Sequence, residues 1–169
     1  MKPSPANSIK QPGAFSLIEL LVVIAIIAVL AGLILQTAGY VQNKAARSRA
    51  ETEIAALSAA LESYKADYGD YPAGTGGVTN STVILFDSLV AAASSNNPLG
   101  KVYMEANGGM LKNTNNLSSP GNAFLDPFGA EYIYKYPGDA DRSGTNFFDL
   151  YSKGGDTTAT NTNKWIKNW

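Results

Sequence analysis

Within the stretch AFSLIELLVVIAIIAVLAGLIL, residues 14 to 35, Glu19 is the one charged side chain. A carboxylate inside a bilayer costs roughly 2.5–3.5 kcal/mol on insertion scales, so it needs a cation, a polar interface or a proton. If a peptidase cuts just before Phe15, the new α-amine lies four residues from Glu19, one helical turn away. The chemistry of that arrangement is charge pairing. A second acidic cluster, DADRSG from Asp139 to Gly144, copies positions 1, 3, 5 and 6 of a calcium-binding loop. Position 12 of that loop is Leu150 in place of a bidentate glutamate, which favours a solvated hairpin turn over a cation site at Asp139 and Asp141. Catalysis has little to stand on. The chain has no histidine, no cysteine, no Gly-x-Ser-x-Gly and no phosphate loop, and nothing sets a base beside a nucleophile. The expectation is a protein that is not an enzyme.

The elements that would position these groups are legible in the hydropathy pattern. No charged side chain occurs from Leu20 to Asn43. As a helix, Phe15 to Leu35 would run roughly 30 Å, the thickness of a hydrocarbon core. The residues before it hold Lys2 and Lys10 and no acid, a positive flank that keeps the N-terminus cytoplasmic and sends the remainder outward. A secretory signal peptide is the competing reading. Against it, the run is long, and charge resumes on a helical pattern with no A-x-A-like turn before it. A formal charge of −1, with no basic patch larger than Lys44, Arg47 and Arg49, gives no reason to expect nucleic acid; that trio reads as a juxtamembrane anchor.

Beyond the apolar run, Ala50, Ile54, Leu57, Leu61, Tyr64 and Tyr68 recur at spacings of 3 and 4 and form one stripe. No proline falls between Pro12 and Pro72, so one helix is expected from about Phe15 to Tyr68, apolar all round in its first half and amphipathic in its second. From Gly69 onward the chain holds 13 of its 16 glycines and five of its eight prolines, the composition of turns and short strands. Ser81 to Ser94 reads as a short helix with Ile84, Leu85, Leu89 and Val90 inward and Ser81 as a cap. EYIYKY, Glu131 to Tyr136, and FFDLYSK, Phe147 to Lys153, read as an antiparallel pair packed on the helical stripe. Loops are expected at 73–80, 106–122 and 154–164. The fold class is therefore α+β: a long N-terminal helix against a small antiparallel sheet.

The residues GAFSLIELLVVIAIIAVLAGLI, Gly13 to Ile34, resemble the class III signal sequence of type IV pilins and type II secretion pseudopilins. Shared features are a basic leader, a small residue at the cut, Phe, a hydroxyl residue, two aliphatics, Glu and an apolar run. ALESYKADYGDYP (60–72), DPFGAEYIYKYPG (126–138), FDLYSKGGD (148–156) and the final Asn168-Trp169 are similar to G-type major pseudopilins, while residues 73–122 match poorly. The resemblance implies a leader over 1–14, a long helix over 15–69 whose part 15–38 forms the membrane anchor and filament core, and a pilin-like globular domain over 70–169. It implies cleavage and N-methylation by a prepilin peptidase. The family's cut usually follows glycine, and a cut after Gly13 would make Glu19 sixth; a cut between Ala14 and Phe15 makes it fifth and suits the amine-to-carboxylate pairing. Glu19 would then pair with the amine of a neighbouring subunit during assembly.

The expected partners are further copies of the chain, the peptidase, an assembly ATPase with its inner-membrane platform, and minor pseudopilins. The expected location is single-pass in the inner membrane with the C-terminal domain in the periplasm, and then in a pseudopilus or extracellular filament. The alternative is a type IV pilin for adhesion, motility or DNA uptake. Type IV pilins commonly close a C-terminal loop with a disulfide and G-type pseudopilins with calcium, so the absence of cysteine points to calcium. The resemblance would place it at Asp156 with the Leu150 and Ser152 oxygens. The family's later acidic pair is absent, since TATNTNKWIKN offers Thr160, Asn161 and Asn163. Many relatives also carry a kinking proline where Gln36 stands.

Overall fold

The computed structural model describes residues 15–73, 82–90, 96–106, 108–115, 120–156, 158 and 162–169, without the side chains of 34–38. Among these, α1 is Leu17–Tyr68, α2 is Thr82–Leu89, and the strands are β1 (Ile133–Lys135), β2 (Asp149–Ser152) and β3 (Ile166–Lys167). The chain divides into two compact units, one ending at Gln42 and the other running Asn43–Trp169.

In the first unit the described side chains are exposed, with Phe15, just before α1, at 87% and Leu17 at 81%. Among the described residues no helix is long and apolar enough to cross a membrane; the expected span runs into 34–38, whose side chains lie outside them.

In the second unit the expected stripe is the buried one. Ala50, Ile54, Leu57, Leu61 and Tyr64 are all buried, joined by Ala60, and Tyr68 is partly buried against the same core. The helix stops because Gly69 adopts a left-handed φ of 84° and donates its N–H to the Lys65 carbonyl at 2.7 Å, a cap that glycine adopts without a Cβ penalty. Facing the stripe are Ile84, Leu85, Phe86 and Leu89 of α2, and Tyr132, Tyr134, Phe148 and Leu150 from the sheet region.

β2 is central. It pairs antiparallel with β1, Tyr134 opposite Leu150, and with β3, Ser152 opposite Ile166. The expected pair is thus a three-stranded sheet, because Ile166, just beyond an Asn/Thr-rich loop, is buried by pairing back along β2. The 106–122 loop also carries structure: Gly108–Met110 makes a 3-10 turn, and Leu111 bridges Phe124. Ser81, the expected cap of α2, lies outside the described residues.

Candidate functional site

At the start of α1, Ser16 and Glu19 form the glutamate half of a capping box. The Ser16 N–H donates to Glu19 Oε2 at 2.9 Å, and the Ser16 carbonyl accepts from the Glu19 and Leu20 N–H groups at 3.1 and 3.3 Å. A glutamate at the third helical position satisfies a backbone donor that would otherwise be orphaned and suits the positive end of the helix dipole. Its carboxylate thus already points back over the first turn, one peptide from the Phe15 nitrogen. Phe15 is exposed beside it; Ala14 and the rest of the expected leader lie outside the described residues.

The acidic groups of the second unit are engaged with protein donors. Asp126 is buried. Its Oδ1 accepts the Phe128 and Ala130 N–H groups at 2.9 Å each, and its Oδ2 accepts the Ser152 hydroxyl at 2.5 Å. Ser152 Oγ in turn accepts the Gly154 N–H at 2.9 Å. The Asp-Pro-Phe-Gly turn entering the sheet is held by its own first residue, with Pro127 and the positive-φ Gly129 supplying the bend. Glu53, on the buried side of α1, accepts the Tyr132 hydroxyl at 2.7 Å and pairs with Arg49 at 2.7 Å. Burial, then the Glu53 contact, pushes the Tyr132 hydroxyl well above the ordinary phenol range. Arg47 donates to the Lys164 carbonyl at 2.8 Å. Two of the three cations expected as a juxtamembrane anchor are therefore used inside the second unit.

The candidate metal residues are dispersed among other partners. Ser152 directs its hydroxyl at Asp126; the Leu150 carbonyl accepts the Asn168 N–H at 3.1 Å; Asp156 Oδ1 accepts both the N–H and the hydroxyl of Thr158 at 3.1 and 2.8 Å. Thr160 and Asn161 lie outside the described residues. In the turn 139–144, fully buried Asp149 accepts the Asp139 N–H at 3.0 Å and the Ser143 N–H at 3.2 Å. Asp139 pairs with Lys135 and, at 3.1 Å, with Arg142. The Lys135 ammonium, followed by Arg142, holds the Asp139 carboxyl below its usual range. Among the described residues no three acidic, His or Cys side chains gather as a metal site. Calcium wants six to eight oxygens, several of them anionic, and the described donors do not fit that requirement.

Fold and site together define a pilin-like subunit: a helix whose exposed apolar first part starts in a Ser-Glu cap and whose second part docks on a small antiparallel sheet. Residues 39–169 match the family model "Type II secretion system (T2SS), protein G", and residues 10–35 match "Prokaryotic N-terminal methylation motif". The chain belongs to the type II secretion system protein G family. It is 33% identical to the type II secretion system core protein G of Escherichia coli K12 over 160 residues, 95% of this chain and 92% of that protein. With the Vibrio cholerae core protein G it shares 33% over 147 residues, 87% and 82% of the two chains, and with that of Pseudomonas aeruginosa 31% over 147 residues, 87% and 86%.

Sequence reasoning missed Glu53, Asp126 and Arg142 as organising groups. Glu53 sits one residue before the apolar stripe position Ile54, so periodicity assigns it to the edge of the solvated face. Asp-Pro before an aromatic and a glycine was a readable turn signal for Asp126. Nothing in the spacing of Arg142 foretells its partners.

Proposed function

We propose that the protein is the major structural subunit of a type II secretion pseudopilus. A prepilin peptidase cleaves it between Ala14 and Phe15 and methylates the new amine. Phe15 to Leu35 then holds it in the inner membrane with the globular domain in the periplasm. Assembly by a cytoplasmic ATPase and a membrane platform draws subunits into a helical filament, with minor pseudopilins at work in the same system, that helps export folded proteins. Its role is structural rather than catalytic.

The observation that carries this reading is the exposed apolar surface from Phe15 to Leu33, broken by one carboxylate near its start. So large a surface demands lipid before assembly and neighbouring helices after it. In the filament core the buried Glu19 requires a cation, and the amine of an adjacent Phe15 supplies one with the same reach as the Ser16 N–H that Glu19 takes within its own chain. The sequence match to the methylation motif over 10–35 supports the same processing.

The test is the intact mass of the protein from a cell-envelope fraction, with its N-terminal peptide sequenced. A chain beginning at N-methylated Phe15 is the expected result. A start at Ala14 would break the spacing argument, and a start at Met1 or beyond Ala31 would remove the filament reading altogether.

A further inference from the structure

The described donors around 139–156 do not suit a calcium ion, yet the C-terminal segment is closely held, and cations of the protein stand where its turns meet. Arg142 is the centre of the arrangement. Its Nη1 lies 3.1 Å from Asp139 Oδ2 and 3.7 Å from Asp149 Oδ2. Its guanidinium carbon also lies 5.7 Å from the Tyr151 ring centre, 5.7 Å from that of Trp165 and 5.3 Å from that of Trp169. These rings make one platform: Trp165 stacks on Tyr151 at 4.6 Å with planes 11° apart, and Trp169 meets Tyr151 edge-on at 5.6 Å. All three separations fall within the reach of cation–π attraction, and the planar guanidinium bonds in its plane to carboxylates while offering its face to rings.

A second cation serves the other end of the segment. Arg47 of α1 holds the Lys164 carbonyl, and Gly154 passes so close that a Cβ there would lie 2.2 Å from that carbonyl oxygen and 3.0 Å from Arg47 Nη1. Gly154 also has φ of 62°, so both its backbone and its lack of a side chain suit the crossing. Asn168 completes the closure by accepting the Leu150 N–H and donating to the Phe148 carbonyl, each at 2.9 Å.

We infer that this chain closes its C-terminal segment without a metal: Arg142 clasps the 139–149 turn to the Tyr151–Trp165–Trp169 platform, and Arg47 fastens the Lys164 carbonyl to α1. Arg142 is a positioning residue. It does for this loop what a bound divalent cation does elsewhere, neutralising acidic oxygens while tying separate backbone segments together. The inference concerns closure of the globular unit and stands whether or not the chain is found in a filament.

The test uses the full chain in detergent micelles, with amide exchange and thermal unfolding followed in calcium chloride and in EDTA. The thermal midpoint and the exchange of 162–169 are expected to be the same in both. A calcium site with a dissociation constant near 10 µM would raise the midpoint by several degrees at about 1 mM calcium, and that rise would overturn the inference. Arg142→Gln is expected to speed exchange at 165–169 by roughly tenfold and to change the near-UV signal of the stacked indoles, with Arg142→Lys falling between. Exchange unchanged in Arg142→Gln would also overturn it. Should that variant fail to fold, the calcium titration of the parent chain decides alone, and Arg47→Gln reports on the Lys164 end.

Discussion

Asp126, Asp139, Asp149 and Glu53 are each matched to specific donors, and such matches have consequences for pH. Glu131 accepts from Lys112 at 2.6 Å and from Thr82, the first residue of α2, at 2.8 Å. The Lys112 contact, followed by that of Thr82, holds its carboxyl below the ordinary range. A depressed carboxyl contributes stability that is present above the unfolded pKa and lost as pH falls through the lower folded value. Glu131→Gln should therefore lower the urea midpoint at about pH 7 and lower it by less at about pH 3, below the unfolded carboxyl's pKa, where part of the contribution has been lost. Asp87 works with the opposite sign, because burial raises its carboxyl and so weakens the fold as pH rises; comparing the variant with the parent at each pH removes that background. An equal loss at both pH values would assign Glu131 a packing role alone.

At the scale of elements, α1 is two helices in its physics. The second unit's part earns its structure from the stripe of Ala50, Ile54, Leu57 and Leu61, all buried against α2 and the sheet. Leu61 is wholly buried, and Leu61→Ala should cost about 2–5 kcal/mol, a large share of a typical domain's stability. Chemical unfolding followed by tyrosine and tryptophan fluorescence checks this, since nine tyrosines and two tryptophans report on the chain. The first part is exposed along its described side chains, and among the described residues the Glu19 contact to the Ser16 N–H favours its start. The sheet is short, with strands of three, four and two residues, and leans on side-chain closure by Asp126, Asp149 and Asn168 more than on ladder length.

At the scale of the whole molecule, the exposed apolar run makes the isolated chain an incomplete object, and the proposed function gives Glu19 its role in assembly. Glu19→Ala removes the charge while leaving the cleavage residues in place. It should give normally processed subunits that fail to form filaments, measured by the mass of the N-terminal peptide alongside electron microscopy of sheared material. Normal filaments from that variant would sink the pairing account. Loss of the capping bond to Ser16 should cost the helix start about 0.5–2 kcal/mol, too little to prevent folding of the stripe some thirty residues away.

Hydropathy and spacing alone determined the long helix, the face it buries and the two main strands, because these depend on periodic patterns that each segment carries locally. The third strand escaped, being two residues long in an Asn/Thr/Lys-rich tail whose burial depends on a partner earlier in the chain. The same holds for the acids and cations. Asp139, Asp149 and Asp156 look alike as oxygen donors in sequence, and Arg47 looks like an anchor to lipid headgroups. Only the tertiary structure decided that Arg142 lies over three rings and that Arg47 reaches Lys164, 117 residues away, because a charge is assigned its partner by where the chain crosses itself, and no local pattern records that crossing.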